Sequence, residues 1–474
     1  MKNIYFLFFV LLLGAFSCTQ DFAEINTNPN APESVNPQFL LTNVLRNAAN
    51  NNAFDAWEAG NFLAQLTARF DFNNIDRHDI RSNQELWDKS YALLNDIRIL
   101  KDLGEEQNQA YKGAGMVMQA FLAATLTDLW TDVPYSEALQ GETSGNFTPA
   151  YDSQRDIYLS ENGILPTLRD AAQILETSKG GIPMQGDILY NGDLDQWIRF
   201  ANSLRLRYLL RISNQEDVAA EMQEIVNSGL IIESNVQNAL IPYLASAPNQ
   251  WFVHTIREGD YGNVRMSTTV EEILKNYNDP RMELWFKPTA SEDPLYGGIP
   301  NGLGSESRND YDLAQASLLG VIFRDQPDGV DGIFITYSEV QFALAEAALK
   351  GYIDGNPQEF YEAGIRSNLE YYGLEIPADY LTQAAVQYNS DNAMEQIITQ
   401  KWLASMLVGY EGWFNYRRTG FPNLKPVIDS QNEGLIPVRY RYPTSEQAFN
   451  KASYDAAVAK IGGDTYNQKG WWEE

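Results

Sequence analysis

TYSEVQFALAEAALKGYIDGNPQEFYEAGIRSNLEYYG, residues 336–373, spells two helices and the turn between them. Thr336 precedes an apolar run and Glu339 follows three positions later, the pattern of a capping box in which each satisfies a main-chain N–H of the first turn. Tyr337, Val340, Leu344 and Ala347 then recur at helical spacing on one face. Asn356 followed by Pro357 opens the partner helix, because the asparagine oxygen can accept an orphan N–H and proline has none to lose. Tyr361, Ile365, Leu369 and Tyr372 form its stripe, and Gly373 stops it.

The same organisation recurs upstream. Leu86, Ser90, Leu93, Ile97 and Leu100 predict a helix ended by Gly104; Tyr111, Gly115, Met118, Leu122, Leu126 and Leu129 predict its partner, closing before Pro134. Asp193 with Gln196 suits a helix start, and Trp197, Ala201, Leu204, Tyr208 and Ile212 mark the apolar face that follows. Antiparallel pairs in a unit of about 34 residues are what tetratricopeptide-like repeats are built from. The expected fold is therefore mainly all-α, a helical body with tetratricopeptide-like helix pairs and long irregular loops. Those loops, Thr67 to Asn83, Glu142 to Tyr151, Tyr243 to Met266 and Lys287 to Asp331, lack any period and are rich in Gly, Asn, Asp and aromatic residues. Loops of such length on a rigid scaffold commonly carry function.

The amino terminus has one cation, Lys2, an apolar run from Ile4 to Leu13, and small residues leading to Cys18. That run is too short to span a bilayer and reads as a signal peptide over 1–17, with Cys18 as the lipidated first residue of the mature chain. Phe16 is bulkier than the strictest lipobox would have. Residues 18–37, rich in Asn, Pro and acids, read as a tether, and 38–474 as a single helical domain held to the membrane through its lipid only.

Cys18 is the single cysteine, which leaves no disulfide, thiolate metal site or cysteine nucleophile elsewhere. Two histidines, His78 and His254, exclude a histidine-rich metal centre, and neither lies in a nucleophile motif. No catalytic residue, cofactor or metal site is expected. The net charge of −29, from 63 acidic and 34 basic residues, repels polyphosphate and argues against nucleic acid.

Ring content is high, with 10 Trp and 26 Tyr. Trp87, Trp402 and Trp413 lie in helical or apolar contexts and are expected in the core. Glu339 and Glu346, seven apart on one helix face, are expected to join Arg417 and Arg418 in a structural ion network. Ligand candidates come instead from the irregular segments, where rings alternate with amides and charges: Phe70, Asp71, Phe72, Asn73 and Asn74; Trp251, Arg257, Asp260, Tyr261 and Asn263; Tyr296 and Asn301. Sugar rings present apolar faces that stack on flat side chains, while their hydroxyls need amides and charges. Peptide main chain suits the same mixture, and any of these rings could instead pack beneath its own loop.

Four blocks carry a resemblance: Thr127-Asp-Leu-Trp-Thr-Asp-Val-Pro-Tyr135, Ile335-Thr-Tyr-Ser-Glu-Val-Gln-Phe-Ala-Leu-Ala-Glu-Ala347, Gly409-Tyr-Glu-Gly-Trp-Phe-Asn-Tyr-Arg-Arg-Thr-Gly-Phe-Pro422 and Ile436-Pro-Val-Arg-Tyr-Arg-Tyr-Pro-Thr-Ser-Glu446. In this order, after a lipoprotein signal, they resemble the SusD/RagB family of nutrient-binding outer-membrane lipoproteins. The resemblance implies a cell-surface protein that captures oligosaccharide, or peptide, and hands it to a SusC-like TonB-dependent outer-membrane barrel. Two other readings of the residues stay open: a secreted glycoside hydrolase with a helical body, and a protein-binding scaffold without a small-ligand site.

Overall fold

In the computed structural model, which describes residues 36–291 and 295–474, the first helix, α1 (Pro37–Asp55), starts where the tether was expected to end. Asn36 caps it by accepting the Gln38 N–H at 3.0 Å. The signal peptide, Cys18 and the tether up to residue 35 lie outside the described residues. No periodicity announced α1, because asparagines at 43, 47, 50, 51 and 52 interrupt its apolar face; Leu41, Val44, Leu45, Ala48 and Ala53 are nonetheless buried.

The expected pairs are present. Helices α2 (Gln84–Gln107) and α3 (Gln109–Trp130) are joined by Asn108 alone, which closes one and caps the other. Here the structure corrects the sequence reading: α2 runs past Gly104 to Gln107. Gly104 is instead a point of close approach, where a methyl group would lie 2.4 Å from the Lys112 nitrogen. Helix α4 (Ile164–Ser178) packs on α3, and α5 (Leu194–Ile212), capped by Asp193, packs on α4. After α6 (Ala219–Ser228) and α7 (Thr268–Asn276) come the paired helices α8 (Tyr337–Leu349) and α9 (Pro357–Tyr371), then α10 (Ala393–Ala404), α11 (Glu411–Thr419) and α12 (Lys451–Ile461).

At α8 the capping box is only half made. The Thr336 hydroxyl accepts the Glu339 N–H at 3.3 Å, but the Glu339 carboxylate turns to Arg207 on α5, with bonds of 2.7 and 2.6 Å. Glu346 pairs with Arg418 as expected, whereas Arg417 pairs with Glu473. A buried guanidinium–carboxylate pair outweighs a local cap because leaving either charge unpaired in the core costs far more than one terminal hydrogen bond. Trp87, Trp402 and Trp413 are all in the core.

Two short antiparallel pairs join distant parts of the chain: β1 (Thr67–Arg69) with β3 (Val264–Met266), both inside segments that read as aperiodic, and β2 (Ala239–Pro242) with β4 (Asp331–Ile335), which border such segments. Strands of three to five residues are too short to show alternation. One hydrophobic cluster runs from Leu41 to Trp472; a smaller one of Ala68, Ile299, Leu303 and Ala316 supports the loop after β1. Among the described residues no helix is long and apolar enough to cross a membrane.

Candidate functional site

Past Asp55 the chain widens into a π turn, Ala56–Gly60, before it straightens toward β1. Such turns insert an extra residue and redirect the side chains around them. Trp57 points into the core, stacked on Tyr261 with planes 6° apart and meeting Trp251 edge-on at 6.2 Å. Phe54, which packs on Phe252 at 5.3 Å, Asp55 and Glu58 line a cleft of about 510 Å³.

The loop from Phe70 to Asn83 forms the facing wall. Asp76 holds it: the carboxylate accepts the main-chain N–H of Arg69 and of Gly302, both at 3.0 Å, and the Asn301 amide. Burial pushes the Asp76 carboxyl up to about 7 against the pull of these donors. Asn73 donates to the carbonyls of Leu303 and Arg69, at 2.6 and 3.1 Å. The Gln431 N–H reaches the Arg77 carbonyl at 2.7 Å, and His78 Nδ1 meets the Leu435 carbonyl at 3.0 Å. Phe72, His78, Arg81 and Asn83 all have positive φ. Outside glycine that conformation costs on the order of 1 kcal/mol or more and persists only where the surroundings impose it, as at ligand clamps.

The charges in the cleft are largely matched. Arg69 pairs with Glu58 at 3.1 Å; Lys89 pairs with Glu85 and sits 4.9 Å over the Phe54 ring. Asp55, half-buried, has no hydrogen-bond partner among the described residues. Burial pushes its carboxyl up to about 8, with Lys89 opposing and Glu85 assisting. The wall thus presents a carboxyl whose burial favours the protonated form, beside aromatic faces and amides, a surface for stacking and hydrogen bonding.

Of the residues singled out in the sequence, the structure gathers Phe72, Asn73 and Asn74 at this cleft. Phe72 is 76% exposed, a free ring at the mouth. Phe70 is half-buried on the small cluster, its N–H bonded to the Asn263 carbonyl, and Asp71 pairs with Arg308 at 2.9 Å. Asn301 lies behind the wall as the partner of Asp76. Trp251 and Tyr261 are fully inside, their polar tips donated to the carbonyls of Phe323 and Leu319 at 2.8 and 2.7 Å, so they support the cleft from behind and show no face to solvent. Arg257, exposed and paired with Asp260, and Tyr296, half-buried, do not line it.

Sequence reasoning missed Phe54, Asp55, Glu58, Arg69, Lys89 and Tyr410, which also line the cleft. Most belong to or flank helices, and only their shared proximity to the 70–83 loop marks them.

A family model described as starch-binding associating with outer membrane matches residues 29–443. Among solved structures, an outer membrane protein of Bacteroides vulgatus ATCC 8482 connected with nutrient binding is 27% identical, with 93% of this chain and 100% of that chain covered and a TM-score of 0.80. A SusD homologue of Bacteroides fragilis NCTC 9343 is 25% identical with the same coverage and TM-score. A chitin-binding protein is 27% identical over 92% of this chain and 100% of that chain, with a TM-score of 0.78. No curated protein matches the sequence.

Proposed function

The chain belongs to the SusD-like family of starch-binding proteins associating with the outer membrane, and from that premise we propose that it is a lipid-anchored, cell-surface nutrient-binding protein that captures oligosaccharide in the cleft between α1 and the 70–83 loop. It then passes the sugar to a SusC-like TonB-dependent barrel and performs no chemistry on it. The observation that carries the reading is the exposed Phe72 ring at the mouth of a cleft that also holds Phe54, Asn74 and a partnerless carboxyl at Asp55. Rings and amides at this density match the apolar faces and hydroxyls of a sugar. Chitin binding by a protein of the same fold at 27% identity supports the saccharide over the peptide. The anchor would be Cys18, and the barrel is the partner that membership of this family implies.

The test is calorimetric titration of the soluble chain starting after Cys18 against malto-oligosaccharides, chito-oligosaccharides and peptides, with product analysis of the same mixtures. Binding of a sugar without turnover is expected. Turnover would replace this reading by a hydrolase, and binding of peptide alone would replace its ligand class.

A further inference from the structure

The cleft has a second side. Asp79, Arg81 and Ser82 close it at one end and, from their other face, form one wall of a separate depression of about 490 Å³. The rest of that depression is built by the carboxyl-terminal part of the chain, chiefly Arg441, Tyr442, Thr444, Gln447, Tyr454 and Asp464. The ridge between the two hollows is fixed on both flanks. The Tyr466 hydroxyl accepts the Arg81 N–H at 3.0 Å, and the Arg81 carbonyl accepts the Arg441 N–H at 3.3 Å. The Arg81 side chain, tied to Asp79 at 3.1 Å, remains 67% exposed along the crest.

The chemistry of the second hollow continues that of the first. Tyr454 contributes a half-buried ring set edge-on to Tyr442. The side chains of Ser82, Thr444 and Gln447 have no hydrogen-bond partner among the described residues and so keep donors and acceptors free for a ligand. Two of the cations around it are ion-paired, Arg81 with Asp79 and Arg439 with Asp464 at 2.9 Å, while Arg441 lies over the Tyr466 ring at 4.9 Å and donates to its hydroxyl. Across the ridge Arg69 and Lys89 are likewise paired. Neither hollow offers a set of free cations to a polyanion, and the net charge of −29 opposes one.

We infer that the two hollows are halves of one groove for a neutral oligosaccharide long enough to cross the Arg81 ridge. This rests on the saccharide reading proposed above and deepens it by setting the length and charge of the ligand. Each hollow alone has the size of a small-ligand site; one chain lying across both gains the contacts of the second without a second loss of translational freedom.

The experiment is a calorimetric ladder of chito- and malto-oligosaccharides, from disaccharide to octasaccharide, with an oligogalacturonate ladder beside it. Wild type, Gln447→Trp, which fills the second hollow from an exposed position, and Arg81→Gly, which suits the positive φ at the crest, are compared, with thermal melts to show that each is folded. In wild type the affinity for neutral oligomers is expected to rise at least tenfold once they outgrow the first cleft. Gln447→Trp is expected to collapse the ratio of long- to short-oligomer affinity, and Arg81→Gly to reduce it. Affinity independent of length, or a length ratio untouched by Gln447→Trp, would overturn the extended groove and leave the first cleft as the site. Oligogalacturonate binding as tightly as neutral chains would overturn the charge assignment. No binding by any oligosaccharide would overturn both this inference and the reading it rests on.

Discussion

Asp76 accepts the main-chain N–H of Gly302 at 3.0 Å, a bond between residues 226 positions apart that fixes one wall of the cleft. The same oxygen takes the Arg69 N–H, and the other takes the Asn301 amide. Replacing Asp76 by Ala takes the acceptor from the main-chain N–H of Arg69 and of Gly302 and leaves the Asn301 amide with only the Thr67 carbonyl, and a buried donor left unpaired costs about 1–3 kcal/mol. Asp76→Ala is therefore expected to lower the urea midpoint and to release hydrogen-exchange protection across 69–83 and 301–303 before the helical body opens. Protection in that loop equal to wild type would show that Asp76 does not hold it.

Acid should favour the cleft wall. Asp55, pushed up to about 8, and Asp76, pushed up to about 7, bind protons in the folded state at pH values where the unfolded chain has released them. A raised carboxyl pKa means that stability falls as pH rises from about 4 through the folded value and then levels off. Asp55→Asn removes one such group. It is expected to stabilise the fold at pH 8.5 by at least about 1 kcal/mol more than it does at pH 5, read as a larger rise in melting temperature at the higher pH. Equal effects at both pH values would show that Asp55 titrates normally.

Phe72 is the ring most available to a ligand. Phe72→Ala removes no core packing and relieves a positive φ only slightly, so its melting temperature should match wild type. A lost stacking contact of about 1.4 kcal/mol corresponds to a tenfold weaker Kd. Calorimetry with the best-binding oligosaccharide checks this; an unchanged Kd would remove Phe72 from the site.

Glu346 on α8 and Arg418 on α11 are both buried, and their pairing links the two helices. Glu346→Leu is expected to cost about 3–5 kcal/mol, because it leaves the buried Arg418 without a carboxylate, and Arg418→Met less, because Glu346 keeps Lys350 at 3.1 Å. The double variant should be less destabilised than the sum of the two, a difference that a double-mutant cycle in urea reads directly. Additive losses would mean that the pair contributes nothing as a pair.

The helical body was largely legible in the sequence. Capping residues and spacing at Asp193, Thr336 and Asn356 act within one or two turns, so the residues that specify each start are adjacent to it. Gly104 shows where that reasoning ends: a glycine near the end of a periodic run looks like a terminator, yet here it admits Lys112 of the facing helix. Helix α1 escaped notice because its asparagines mask a stripe that only its burial against α2 and β4 makes evident.

Local order thus came from the chain's own periodicity: helix pairs, irregular loops between them and an acidic surface. The site did not. Trp251 and Phe72 occupy similar aromatic and amide-rich contexts in sequence, but one is sealed behind Trp57 and bonded to the Phe323 carbonyl while the other stands free at the cleft mouth. Whether a ring packs or faces solvent depends on residues far away along the chain. The cleft exists only because a π turn after α1, a carboxylate at 76 and the segments around 302 and 435 meet in space, and tertiary packing alone brings them together.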